Sequence, residues 1–302
     1  MKERQPVPIA AIVTLVLIWG YSWPVMKIAL RHAHPFDFAA IRVGLGSALL
    51  FALVKLRGQT LALPSYRMAV LLGMVQVALF VALSHFALLY AGSGKTSVLV
   101  FTMPFWMIVF AHFIIHERMR GAQWIAVGLA LAGLVLIVAP WELTSLGGSL
   151  LAVAAGAVWA ISAVLSKRWS TAADPLVFTA WQLLFGFVAL AILALSHPHG
   201  SIRWDLEFVL ALAFSTVLAT AGGWWLWTYV LARTPAGIAG LNALGIPVVA
   251  VVSSAIQLGE RPPALELVGM GAIALALALL AWIGVRPLGR PAPTAPGAPR
   301  PS

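Results

Sequence analysis

Apolar stretches of about 20 residues follow one another along almost the whole chain, and at 1.5 Å of rise per residue each is long enough to cross a bilayer's hydrocarbon core as a helix. Ten can be read: 8-30, 36-56, 66-90, 93-116, 121-140, 147-168, 175-196, 206-232, 235-258 and 263-285. Only 9% of the residues are charged, against about 25% in a typical soluble domain. The expected fold class is an all-α integral membrane protein with ten transmembrane helices. The first span follows MKERQ and could pass for a secretory signal, but Tyr21, Ser22, Trp23 and Pro24 stand where a small-residue cleavage site would be, so it is read as a retained helix. Residues 286-302 are rich in Pro, Ala and Gly and offer no apolar face to bury, which predicts a disordered cytoplasmic tail.

The formal charge of +10 does not point to nucleic acid, because the basic residues do not gather into a patch. They alternate between loops. With the N-terminus inside, Lys2, Arg4, Lys55, Arg57, Arg67, Arg118, Arg120, Lys167, Arg168, Arg233, Arg286, Arg290 and Arg300 fall on the cytoplasmic side, and Arg31, Lys95, Arg203 and Arg261 fall outside. That bias predicts cytoplasmic N- and C-termini. The chain has no cysteine, which removes disulfides, thiolate metal sites and cysteine nucleophiles.

Compared with itself at an offset of 140 residues, the chain lays WGYSWPVMK (19-27) on WAISAVLSK (159-167) and Pro35 on Pro175. An offset of 143 lays Pro104 on Pro247, Glu117-Arg118 on Glu260-Arg261, and Gly128 on Gly271. Residues 1-142 and 143-285 therefore read as two five-helix repeats. Because five is odd, the second repeat enters the membrane from the opposite side, an inverted arrangement found in many secondary transporters.

On these features the chain resembles the EamA-type members of the drug/metabolite transporter superfamily: the 5+5 plan, the W-G/A-x-S-x(4)-K start of each half, and a mid-helix proline followed thirteen residues later by Glu-Arg. Within that group it is similar to aromatic amino-acid exporters of the YddG type. The resemblance implies a central cavity lined mainly by helices 1 to 4 and 6 to 9, with helices 5 and 10 at the periphery. Its implied partners are a small-molecule substrate, with amino acids foremost, and membrane lipid. A homo-oligomer is compatible with it, and no nucleic acid or cofactor is expected.

Two motifs suggest other chemistry. AGSGKTS (91-97) looks like a phosphate-binding P-loop, but the glycine required five residues before Gly94 is replaced by Leu89, and the stretch joins two apolar helices. Its counterpart, TPAGIAG (234-240), is also a short connection, and Lys95 is expected to meet solvent or headgroups. His112 and His116 have the i, i+4 spacing of zinc ligands, yet the order of residues is wrong for a metalloprotease helix and no third ligand matches them. No metal or catalytic site is expected.

The candidate transport site follows from the prolines and from polar groups at membrane depth. Pro24, Pro104 and Pro247 each remove a backbone donor, freeing the carbonyls of Gly20, Val100 and Ala243, and such breaks are tolerated where protein lines a cavity. Trp19, Tyr21 and Ser22 near Pro24, their counterparts Trp159 and Ser162, Gln76, Phe80 and His85 on helix 3, Trp227 on helix 8, and Asn242 near Pro247 are the candidate substrate-binding residues. Arg42 lies inside helix 2, where an unpaired cation is costly, so either Asp37 or a substrate carboxylate should hold it. Lys27 and Lys167 should snorkel, and the Glu-Arg pairs should fix loops at helix ends, with a gating role as the alternative. All nine acidic residues fall in loops or near helix ends, which favours facilitated diffusion or exchange over a carboxylate proton relay; His85 and His112 are the titratable alternatives. The expected function is secondary transport of amino acids or similar small amphiphilic metabolites, usually outward across a bacterial inner membrane. A multidrug exporter, or an intramembrane enzyme acting on lipid, is the alternative.

Overall fold

The computed structural model describes residues 9–114, 121–138, 143–168, 173–196, 200–233, 243 and 245–285, which are helical apart from short connections and contain no strand. The helices are α1 (Ile9–Ala29), α2 (Pro35–Leu56), α3 (Tyr66–Tyr90), α4 (Ser93–Ile114), α5 (Gly121–Val138), α6 (Leu143–Arg168), α7 (Pro175–Ser196), α8 (Leu206–Arg233), α9 (Gly245–Leu258) and α10 (Ala264–Val285). Seven of them, α1 to α4 and α6 to α8, are long and apolar enough to cross a membrane, while α5, α9 and α10 contribute the shorter apolar stretches Trp124–Leu136, Gly245–Leu258 and Ala264–Ala276. Asn242, the Glu117-Arg118 pair, His116, the 234-240 connection and the 286-302 tail lie outside the described residues.

Three of these helices are irregular. α3 and α8 widen into π-helix over Gly73–Leu79 and Ser215–Gly222, at similar depths in the two halves of the chain. Such widenings shift the hydrogen-bond register and re-aim the side chains that follow, often at functional sites. In α4 the helix is interrupted at Phe101 and Thr102 and restarts at Met103, so Pro104 sits in a first turn, where its missing N–H is harmless. Pro247 likewise occupies the first turn of α9, and the Ala243 carbonyl, expected to be free, accepts the N–H of Ile246 at 3.0 Å. Pro24 stays within α1.

Packing crosses between the halves more than it runs within them. α2 lies along α7, α5 along α10, α1 along α9 and α8, and α6 along α4 and α3. Each partnership in one half has its counterpart in the other. At the centre, Gly46 of α2 meets the π segment of α8, where a Cβ would come within 2.7 Å of Thr220 Cγ2. Its equivalent at the 140-residue offset, Gly186 of α7, meets the π segment of α3, where a Cβ would come within 2.4 Å of Val77 Cγ1. Small residues allow the close backbone approach on which helix association in lipid depends. Gly186→Val should therefore lower the thermal unfolding midpoint of the detergent-solubilised protein, corresponding to an overpacking cost of about 1–3 kcal/mol. Gly128→Ala, whose Cβ meets nothing within 4 Å, should not lower the midpoint, since alanine is the better helix former.

Candidate functional site

A cavity opens where the two halves meet, lined by Trp19, Ser22, Trp23 and Met26 of α1, Arg42 of α2, Phe80 and Ser84 of α3, Phe101 at the break in α4, Trp159 of α6, and Ala219 and Trp224 of α8. The π-helical irregularities shape it directly: Phe80 and Trp224 follow the two π segments closely, and Ala219 lies inside the second. Its free space is about 40 Å³, room for about one water molecule. Admitting a metabolite therefore requires the aromatic side chains to move apart. A wider groove of about 520 Å³ runs along α9 and α10, but its lining is wholly apolar and Val248 and Val252 are more than half exposed. It has no polar side chain to orient a solute.

Trp159 is the hub of the aromatic lining, with ring centroids 5.2 Å from Phe80, 5.3 Å from Trp19, 5.3 Å from Phe101 and 5.2 Å from Trp227. The contacts with Trp19, Phe101 and Trp227 are edge-to-face, the arrangement that aligns a ring's positive edge with its neighbour's negative face. The Trp19 indole donates to the Ala219 carbonyl at 2.9 Å, joining α1 to the π segment of α8. Gly223 makes room for that ring, since a Cβ there would fall 2.1 Å from Trp19 Nε1. The indole N–H groups of Trp159 and Trp227 are buried without a partner.

Arg42 is the charged residue of the cavity lining and is only 5% exposed. Its Nη1 donates to Thr220 Oγ1 at 3.2 Å, its guanidinium carbon lies 5.8 Å from the centre of the Phe38 ring, and its Nε has no partner. Among the described residues no carboxylate lies within ion-pair distance of it, so the expected pairing with Asp37 is not formed.

Of the residues singled out in the sequence, Trp19, Ser22, Phe80 and Trp159 line the cavity, and Trp227 packs behind it on Trp19 and Trp159. Ser22 donates to the Trp19 carbonyl at 2.7 Å. The others are placed elsewhere. Tyr21 is part-exposed against Phe214, Gln76 accepts from Gln182 at 2.8 Å, and Ser162 donates to the Val158 carbonyl at 2.7 Å. His85 is fully buried, stacked on Phe38, with Nδ1 3.4 Å from the Pro35 carbonyl oxygen. Sequence reasoning did not single out Met26, Phe101 or Ala219, nor Trp23 as a site residue; Ser84 shares the helix face of Gln76 and Phe80, and Trp224 belongs to the tryptophan cluster of helix 8. Trp23 lies one turn beyond Trp19, and Phe80 and Trp224 follow the two π segments by one and two residues, but no residue pattern announces a π segment in advance.

The profile of the EamA-like transporter family matches residues 7–139 and, a second time, residues 146–282. The chain belongs to this family. Among its relatives, an uncharacterized transporter of Bacillus subtilis, YvbV, is 31% identical over 253 residues, covering 82% of each chain. A second from the same organism, YoaV, is 28% identical, over 83% of this chain and 88% of its own. A probable amino-acid metabolite efflux pump of Escherichia coli is 26% identical, over 84% and 88%. A crystal structure with 19% identity superposes with a TM-score of 0.72, covering 92% of this chain and 98% of its own, and it shows the fold alone. This EamA-type chain is thus a multi-pass membrane transporter, and not an enzyme.

On one face of the transporter, AGSGKTS has a specific role. The Glu260 carboxylate, from the connection between α9 and α10, accepts the backbone N–H groups of Ser93 at 2.8 Å and Gly94 at 3.0 Å and the Ser93 hydroxyl at 3.0 Å. It caps the first turn of α4, where unsatisfied amides and the helix dipole favour an anion. The place where a P-loop would hold phosphate is filled by a carboxylate of the other half. Lys95, expected in solvent, is buried and pairs with Glu266 of α10 at 2.7 Å. Lys27, expected to snorkel, donates to the carbonyls of Leu88 and Ala91 at the end of α3. Glu260 thus joins α9–α10 to the start of α4, and is more than a local helix-end residue. Lys95→Met should lower the unfolding midpoint by leaving Glu266 unpaired in a mostly buried position, a loss of about 3–5 kcal/mol. Lys95→Met combined with Glu266→Met should recover most of it; equal midpoints for the single and double variants would contradict this pairing.

Proposed function

We propose that this EamA-type transporter moves amino acids or similar small amphiphilic metabolites outward across a bacterial inner membrane by rocking two inverted five-helix halves, 1–142 and 143–285, about the central cavity. The observation that carries the proposal is the position of that cavity: it lies on the seam between the halves and is lined from both. The double family match, the paired π segments and the reciprocal helix packing support two-fold pseudosymmetry. The Escherichia coli relative, a probable amino-acid metabolite efflux pump, favours amino-acid metabolites and an outward direction. A cavity of aromatic walls with one cation and a few hydroxyls suits a solute with an apolar body and a polar end.

Contacts between connections agree with alternating passage through the membrane. The Glu260–α4 latch joins two connections that N-in topology places outside, and His32, after α1, lies 2.9 Å from Asp205 and 2.8 Å from Glu207, before and at the start of α8, also outside. Trp181, near the start of α7, donates to the Leu61 carbonyl between α2 and α3 at 2.7 Å, both on the opposite face. In this reading the structure represents a state closed at the external face by the latch, with the cavity contracted.

No carboxylate lines the cavity among the described residues, and His85 is packed against Phe38 behind it, so transport proceeds by facilitated diffusion or exchange. The purified protein in proteoliposomes should therefore catalyse counterflow of a labelled amino acid with no ion gradient imposed. Accumulation driven by a proton gradient alone, abolished by His85→Ala while counterflow survives, would replace this reading with proton coupling through His85.

A further inference from the structure

Arg42 presents a mismatch between what the fold requires and what the chain supplies. At the 140-residue offset its counterpart is Gln182 of α7. Gln182 donates from Nε2 to Gln76 Oε1 in the π segment of α3 at 2.8 Å, and Arg42 donates from Nη1 to Thr220 Oγ1 in the π segment of α8 at 3.2 Å. Both bonds fasten a glycine-bearing helix to the π-widened helix of the opposite half. A neutral amide does this in one half, so the positive charge in the other is not needed for it. Keeping a guanidinium 5% exposed, with a neutral partner and Nε unbonded, is costly in a membrane interior.

The surroundings are rich in donors. Besides Arg42 Nε, the indole N–H groups of Trp159 and Trp227 and the hydroxyls of Ser215 and Thr216 are buried without partners. Among the described residues, no Asp or Glu lines the cavity to neutralise the charge or to receive an ammonium. The cavity is thus a positive recess, with the Trp159 indole N–H unpaired in its lining, beside a wall of Trp19, Trp159, Trp224 and Phe80.

We infer that Arg42 is an anion site, binding the carboxylate of the transported solute while the aromatic wall holds its apolar body. This rests on the transport reading and narrows it: the solute must carry a carboxylate, an ammonium group is dispensable, and hydrophobic cations lacking a carboxylate are excluded by the fixed charge. A guanidinium offers two parallel N–H groups to a carboxylate, which a lysine cannot do.

The test compares three solutes with one phenyl body: 3-phenylpropionate, with a carboxylate alone; L-phenylalanine, with carboxylate and ammonium; and L-phenylalanine methyl ester, with no carboxylate. Binding to the solubilised protein is read from intrinsic tryptophan fluorescence, and counterflow is measured in proteoliposomes. The acid and the amino acid should bind and exchange, and the ester should do neither. Arg42→Gln, which installs the residue of the other half, should stay monodisperse and weaken both carboxylates by about tenfold to a hundredfold, the loss of one charge-assisted hydrogen-bonded contact. Arg42→Lys should fall between it and the wild type. Ester transported as well as acid, or Arg42→Gln binding the acid normally, would overturn the anion site and leave the transport reading standing. If none of the three binds or moves, both readings fail. The wild-type comparison of acid with ester decides the matter even if Arg42→Gln does not fold.

Discussion

Inside a bilayer no water is available to a peptide group or a charge, and that constraint governs where this chain departs from plain helix. The departures described are not scattered over the lipid-facing surface. The interruption at Phe101–Thr102, the two π segments and the Arg42–Thr220 bond lie where one half packs on the other, and the buried start of α4 is capped by a carboxylate from across the molecule. Irregular backbone, polar side chains and the cavity are therefore concentrated along one seam. An apolar periphery can hold such a seam within lipid while the seam itself keeps the polar contacts that solute passage requires.

Reciprocal packing sets the scaffold, and its local failures provide the chemistry. Gly46 and Gly186 make equivalent close approaches, so α2 and α7 seat against the π segments in the same way. Four residues before each glycine the halves diverge, with Arg42 in one and Gln182 in the other. Trp19 and Trp159 are also equivalent in sequence, yet Trp19 is anchored to the Ala219 carbonyl and Trp159 keeps a free indole N–H at the centre of the cluster. A site built in this way can have a preferred orientation for its solute although the helices around it pack reciprocally.

Helical character, seven of the membrane spans and the repetition of the family domain were legible in the sequence because apolar length and repeated motifs are carried by local patterns. Trp19, Trp159 and Phe80 could be found because they flank repeated motifs or polar helix faces. The latch could not be found in that way. AGSGKTS shows that an anion would fit the start of α4, but Glu260 arrives from 167 positions beyond Ser93, and no local pattern encodes that meeting. The same holds for Lys95, whose burial depends on Glu266, and for Arg42, whose nearest carboxylate in sequence, Asp37, is not its partner in space. The π segments were equally hidden, since their composition is that of ordinary apolar helix.

The central claim is that the latch between Glu260 and α4 opens and closes as the halves rock about the Trp–Arg cavity. The native chain has no cysteine, so paired cysteines at the exposed positions Tyr90 and Leu265, on either side of the latch, can carry spin labels without background. Electron paramagnetic resonance distances in reconstituted protein should show two populations, a shorter one for the latched state and a longer one, whose ratio changes with a transported solute and shifts toward the longer in Glu260→Gln. A single distance distribution, unmoved by solute and by Glu260→Gln, would contradict the account.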